Sequence, residues 1–372
     1  MSNVLYHKVQ PLLVKDYKPQ DLVEFELYNA GRSFVPGSVR LTGQLEVLDN
    51  LQTLTSAQDV KFDHRCGIAN FIDNVSTSFG NKGMIETISN YSRLIAMTSN
   101  ATESDWDMMN SSKSVELKSP DAQYSQLYLQ QPTTLAGLDG EYSYNPDFSH
   151  RLFNCLNRVS SSTEDNTVPF DKIGVVRTTL QISSLYQALF GDDMDASVDF
   201  TLKNLEICYT SVPDMKETKV LQMKVEASIK TSLDSSNAVI TTRVPIVSNG
   251  CSVSFQRIAN ENVAIANNVQ QEELPDLTET TFLFSNSNAE HITYVIRDRI
   301  EILDNYIESM KAMGMTNTCN LNLLKANKSF GVGLPYEYMN LSSKAFNIEM
   351  RSGITSGDPY VAYLFFHGIV EL

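Results

Sequence analysis

The sequence holds one tryptophan, five cysteines and only 20% charged residues, and each shortage excludes a class of protein. No apolar run reaches the ~18–20 residues of a helical membrane span. The most apolar stretch, YVAYLFFHGIV near the end, is too short and carries His367, so a soluble chain is expected. The start, MSNVLYHKVQPLLVKDYK, lacks a continuous hydrophobic segment followed by small residues, so no secretory signal is expected. Cys66, Cys155, Cys208, Cys251 and Cys319 form no CxxC, and their number is odd. That argues for reduced thiols in an intracellular assembly compartment and against a disulfide framework or a zinc site. Basic residues are outnumbered, 29 against 44, and a net charge of −15 argues against nucleic acid as a ligand of the whole surface.

What is present is strand patterning. A length of 372 residues exceeds the roughly 250–300 at which one hydrophobic core stops growing, so two domains are expected. In LVEFELYN, Leu22 and Val23 are followed by Phe25 and Leu27 in alternation with Glu24 and Glu26. VRLTGQLEVL repeats the alternation at Val39, Leu41, Leu45 and Val47, with Gly31, Pro36 and Gly37 supplying the turn between the two strands. Further β-type runs include GIANFIDNVSTSF, KIGVVRTTLQI, SVDFTLKNLEICYTSV, KVLQMKVEASIKTSL, CSVSFQRI, ETTFLFSN, KAFNIEMRS and YVAYLFFHGIVEL. With no long helical crossovers between them, an antiparallel sandwich fits best.

Two helices stand out. One is expected from Tyr294 to Met313, where Ile296, Ile300, Leu303, Ile307 and Met310 recur at four-three spacing before Gly314. The other is SSLYQALFG, with Ser183 or Ser184 as cap, Leu185, Leu189 and Phe190 packing, and Gly191 as stop. The order strand, helix, strand thus occurs once before Pro213 and once after it, which suggests two similar β-domains joined at SVPDMKET. Residues 98–168 lack periodicity and are expected to form a large surface loop of the first domain.

Constellations for chemistry are scarce. His7, His64, His150, His291 and His367 are scattered, with only His64 near a cysteine, and HExxH, GxSxG and phosphate-cradling glycine motifs are missing. Asp192, Asp193, Asp195 and Asp199 offer hard oxygens but lack the glycine and terminal glutamate of a calcium loop. Asp105 and Asp107 flank Trp106 as in some sugar-binding loops, without a second carboxylate to place across a cleft. Sequons at Asn74, Asn90, Asn100, Asn110, Asn327 and Asn340 are expected by chance in so Asn- and Ser-rich a chain. Lys8, Lys15 and Lys18 outweigh Asp16 in an N-terminal arm that is a candidate for contact with genome or lipid. No catalytic residue, cofactor site or metal site is expected.

In RSFVPGSVRLTGQLEVL a proline-glycine turn leads into an RLTG strand. In GIANFIDNVSTSFGNKGMIETISNYSRLIAM a strand ends at a glycine turn, and the pair Asn90–Tyr91 begins an irregular stretch. With the closing PYVAYLFFHGIVEL, the chain resembles the double jelly-roll major capsid proteins of icosahedral DNA viruses and phages. The resemblance implies a mainly β fold of two consecutive eight-stranded jelly-roll domains, each with a helix before its late strands. The arm would cover residues 1–19, the first roll 20–212, the linker 213–218 and the second roll 219–372. It further implies a non-enzymatic homotrimer forming a pseudo-hexagonal capsomer in the virion, assembled inside the host cell. Its partners would be neighbouring capsomers, penton and minor capsid proteins, with an internal membrane or genome as contacts of the arm. A minor capsid or vertex protein and a carbohydrate-binding β-sandwich are the alternatives.

Overall fold

The structure, a computed structural model, describes residues 3–49, 60–62, 66–102, 147–161, 166–190, 196–214, 221–233, 238–261, 277–285, 291–296, 329–333, 347–354 and 359–372. It also describes short pieces at 54–55, 125–126, 141–142, 307–309 and 312–313, and the single residues Met194 and Val263.

A six-stranded sheet contains β1 (Leu5–Val9), β3 (Arg32–Phe34), β4 (Arg40–Asp49), β11 (Asp147–Arg151), β13 (Val168–Pro169) and β15 (Val198–Pro213). A nine-stranded sheet runs through both halves of the chain. Its first part is β2 (Leu22–Leu27), β14 (Val176–Ile182), β7 (Ile72–Phe79) and β8 (Gly83–Ser89). Its second is β16 (Leu221–Leu233), β23 (Tyr360–Glu371), β18 (Ser248–Arg257) and β21 (Ser329–Gly333), with β12 (Val159–Ser161) beside β16. A four-stranded sheet follows the order β17 (Ala238–Arg243), β22 (Asn347–Ile354), β19 (Leu277–Ser285), β20 (His291–Ile296). Two short pairs complete the described strands: β5 (Leu54–Thr55) with β10 (Glu141–Tyr142), and β6 (Lys61–Phe62) with β9 (Ser125–Gln126).

The alternation read in the sequence is the alternation of burial. Val23, Phe25 and Leu27 of β2 and Val39, Leu41, Leu45 and Val47 around β4 are all buried, and each such side chain contributes about 1.5–3 kcal/mol. The long strand β15 switches phase part-way. Val198, Phe200 and Leu202 point inward, the register against β4 shifts between Lys203 and Glu206, and Leu205, Ile207 and Tyr209 carry the core onward. Asn204 takes the left-handed conformation there (φ 52°), which asparagine tolerates better than most residues. Gly43 lies opposite: a Cβ on it would sit 2.7 Å from the Leu205 side chain and 2.9 Å from the Lys203 carbonyl.

One parallel pair, Thr87 with Ala227, joins β8 of the first half to β16 of the second. Several expectations need correction. Pro213, placed in the linker, is the last residue of β15 and pairs with Arg32. The arm is folded: β1 pairs along β15, Tyr17 bridges Leu202, and Tyr17 is buried. The loop expected over 98–168 begins inside a helix and ends inside the core, since Phe148, His150, Leu152, Cys155 and Leu156 are buried. The stretch after Asn90 is not irregular but the helix α1 (Tyr91–Thr102), on which Tyr91, Leu94, Ile95, Ala96 and Met97 are all fully buried.

The helix expected from Tyr294 starts later. Tyr294 and Ile296 belong to β20, while helical backbone appears at 307–309 and Ala312 and Met313 are buried; Ile300, Leu303 and Met310 lie outside the described residues. The shorter candidate is the helix at Leu185–Ala188 with Ser184 before it, and Leu189 and Phe190 pack as expected.

Candidate functional site at the junction of the halves

β8 closes the ladder of the first half and β16 opens that of the second. Next to their single parallel pair, Glu86 of β8 and Glu226 of β16 are both buried, and Arg158 reaches between them. Glu86 accepts from the Cys155 amide (2.7 Å), the Glu226 amide (2.8 Å) and Arg158 Nη2 (2.8 Å). Arg158 Nη1 donates to Glu226 Oε1 at 2.6 Å, and its guanidinium lies 4.2 Å from the Phe153 ring centroid.

The network continues along the sheet because β23 runs between β16 and β18. The register sets His367 opposite Glu226, with Nδ1 and Oε2 2.5 Å apart. On the other side His367 Nε2 lies 2.6 Å from Ser252 Oγ, and the Ser252 hydroxyl donates to Ser309 Oγ at 3.0 Å. Once that hydroxyl donates to Ser309, its oxygen is left to accept from Nε2. Nδ1 then faces the Glu226 carboxyl, and Arg158 lies between Glu226 and Glu86.

Burial pushes the Glu86 carboxyl up to about 7, against the pull of Arg158 and the two amides. Burial works to lower Arg158 as well, but Glu226 and Glu86 hold it above its ordinary value. The Cys155 thiol is pushed up by burial and then by the Glu86 charge, so it is no nucleophile. Nearby, the Tyr91 hydroxyl, raised by its burial, sits 2.9 Å from His150 Nε2 and accepts from the Phe153 amide.

Ser252, His367 and Glu226 stand in the order of a serine-histidine-acid relay. All three are buried and Ser252 is committed to Ser309 in mid-strand. Chemistry needs a place for the substrate, and the nearby polar cavity of about 360 Å³ is lined instead by residues such as Asn90, Arg93, Lys230, Glu261 and Tyr363. There Tyr363 donates to Glu261 at 2.6 Å, Lys230 pairs with the same carboxylate, and Arg93 lies over the Tyr363 ring and donates to Gln256. Ser228 Oγ accepts from the Ser89 amide at 2.6 Å, which ties β16 to β8 a second time. The arrangement can hold two halves in one relative position.

The residues singled out from the sequence are dispersed. His7 Nε2 meets Ser211 Oγ at 2.7 Å and its ring stacks on Tyr209, while His150 packs on Tyr91. Asp199 accepts from the Phe200 amide, and Asp192, Asp193 and Asp195 lie outside the described residues, as do Asp105, Trp106, Asp107, His64 and Cys319. Cys66, Cys155, Cys208 and Cys251 are buried thiols. Asn74 bonds Ser89, Asn90 precedes α1, Asn100 is within α1, and the sequons at Asn110, Asn327 and Asn340 lie outside the described residues. Lys8 pairs with Glu206 and Lys15 with Asp21. Among the described residues no group of histidine, cysteine and carboxylate side chains is placed to hold a metal ion. The junction itself escaped the sequence reading because its partners are far apart in the chain: His367 is 141 residues from Glu226 and 115 from Ser252.

No family model matches the sequence, and no curated protein matches it. Solved structures do match. The Faustovirus major capsid protein aligns over 100% of this chain and 90% of its own, with 9% identity and a TM-score of 0.61. PBCV-1 VP54, as fitted into a cryo-EM reconstruction of the virophage Sputnik, aligns over 100% and 95%, with 9% identity and a TM-score of 0.59. The Sputnik virophage structure aligns over 99% and 86%, with 10% identity and a TM-score of 0.55. The chain has the double jelly-roll fold. In this chain the nine-stranded sheet runs through both halves, and the network of Glu86, Arg158, Glu226 and His367 lies where β8 meets β16.

Proposed function

We propose that the chain is a structural subunit of an icosahedral shell: a major capsid protein that works by shape and catalyses no reaction. The observation that carries the reading is a fold shared over the whole length of the chain with capsid proteins. The buried junction supports it, since holding two rolls in one fixed relation is what a tile needs. In this reading residues 20–212 and 219–372 are the two rolls, and three chains form a pseudo-hexagonal capsomer in the virion. Neighbouring capsomers, penton and minor capsid proteins are the partners. With sandwich sides supplying the contacts, an obligate interface of this kind commonly buries ~2,000 Å² or more.

Mass photometry of the full chain at neutral pH, with chelator and reductant present together, tests the proposal. A species of three chain masses is expected, and electron microscopy should show it with a six-sided outline. A monomer at every concentration would overturn the reading.

A further inference from the structure

The polar cavity of about 360 Å³ beside the junction falls within the roughly 300–1,000 Å³ of small-molecule sites, and none of Glu86, Arg158, Glu226 and His367 lines it. Its wall comes from both halves of the chain. Asp73 on β7, with Asn90 and Arg93 at the start of α1, belongs to the first half; Lys230 on β16, Glu261, and Tyr363 on β23 belong to the second. Arg93 is the unusual group. It is only 4% exposed, it donates to the neutral side chain of Gln256, and its Nη1 is buried without a hydrogen-bond partner among the described residues. A buried guanidinium with an unused donor is costly. The N-terminus of the twelve-residue helix α1 adds to the same positive field, since its first turn carries no acidic residue.

We propose that this cavity binds a small hydroxylated monocarboxylate, with the carboxylate on Arg93. The charges of the wall select that class. Burial works to raise the Glu261 carboxyl, but hydrogen bonds from Lys230 and Tyr363 and the charges of Lys230 and Arg93 hold it below its ordinary value. Glu261 is therefore ionised at neutral pH. Arg93 and Lys230 thus share one carboxylate, which leaves one positive charge in excess. A single ligand carboxylate matches that excess and presents two oxygens to the planar guanidinium. A phosphate brings close to two negative charges and overshoots it. Elsewhere on the wall Asp73 accepts from Gln187 at 2.6 Å and keeps lone pairs for a ligand hydroxyl. Asp73 is half-buried, so water screens its charge more than that of Arg93. An apolar ligand is excluded, because it cannot replace the hydrogen bonds of the water it would displace from so polar a wall. The site goes beyond the shell-subunit reading and does not depend on it.

The test is isothermal titration calorimetry and thermal unfolding of the full chain with D-glucuronate, D-glucose and inorganic phosphate as probes. D-glucuronate should bind one molecule per chain and raise the melting temperature, because it bridges residues of both halves. D-glucose, which lacks the carboxylate, and phosphate should each bind at least tenfold more weakly. Arg93→Gln should lower the affinity for D-glucuronate at least tenfold, to the level of D-glucose. Asp73→Asn, at a half-buried position, serves as the second variant should Arg93→Gln not fold, and it should weaken D-glucuronate at least threefold with the melting temperature of the unliganded chain unchanged. D-glucose binding as tightly as D-glucuronate would overturn the role of Arg93, and phosphate binding more tightly would replace the monocarboxylate by a simple oxyanion. No heat from any probe, or an affinity for D-glucuronate that neither variant changes, would strike the site and leave the shell reading untouched.

Discussion

At the seam between β8 and β16, the ionisable side chains of Glu86, Glu226 and His367 are held out of water with Arg158 beside them, whereas at the seam closed by the N-terminal segment leucines and valines face the solvent. A buried charge costs free energy unless it is paired, and an exposed apolar strip forgoes what its burial would contribute. Both seams therefore run against the economy of an isolated globule. The inner one is paired within the chain: Glu86 has three donors and Arg158 spans two carboxylates, with only Arg158 Nε left without a hydrogen-bond partner in the network. The outer one has its apolar side uncovered. A buried ion pair stabilises little beyond an apolar replacement of the same shape, but it tolerates far fewer relative positions of the groups that form it. The contrast teaches that the inner seam is held by paired groups within the chain, while the outer seam leaves apolar side chains in water.

The largest effect should come from taking the cation out of the inner seam. Arg158→Met takes the cation from between two buried carboxylates and should lower unfolding stability by about 3–5 kcal/mol, read from the denaturant midpoint. Replacing Glu86, Arg158 and Glu226 together by apolar residues should recover most of that loss. If the single variant unfolds like the parent, the seam is not held by charge.

The pH dependence of Glu86 is next in size. An unfolded glutamate titrates near 4.5 and the folded one near 7, so between these values the folded state holds more protons. Stability must then fall as pH rises through that window, by on the order of 3 kcal/mol, and be flat outside it as far as this group is concerned. Glu86→Gln should flatten the slope. A parent whose midpoint rises from pH 5 to 7 would contradict the sign.

Ser252→Ala removes the hydrogen bonds to His367 and Ser309 and should cost about 1–2 kcal/mol. A fluorophosphonate probe should label neither parent nor variant, and labelling of the parent alone would turn the inner seam into a reactive site. Smallest of all, Lys8→Ala breaks an exposed pair with Glu206 and should cost less than ~1 kcal/mol, shrinking further in high salt. A larger loss would mean that the outer seam is held by charge and not by its strand pairing.

Much of the fold was legible where one face of a strand is buried. The alternation at Val23, Phe25 and Leu27 and at Leu41, Leu45 and Val47 predicts both strands and their inward sides. Legibility failed where two periods overlap. In HITYVI, alternation at Ile292, Tyr294 and Ile296 competes with the four-three spacing that continues to Met310, and β20 takes the first part. It failed again in YSRLIAMTSNAT, where Ser and Thr weaken helix propensity and the first turn has no acidic residue, so α1 is stabilised by packing and not by local signals. The junction was invisible for a different reason: only the register of β16, β23 and β18 brings Glu226, His367 and Ser252 together, and registers are not written in local spacing.

The bulge of β15 has a bearing on how the chain avoids error. A sixteen-residue strand pairing with β4 could, on alternation alone, slide by two residues and still turn its apolar side inward. The phase change at Asn204 removes that freedom. A slip by two in either direction would move the strand's bend away from Gly43, the residue that leaves room for it. The bulge works like the single asymmetric tooth of a key: strands in any other alignment do not seat.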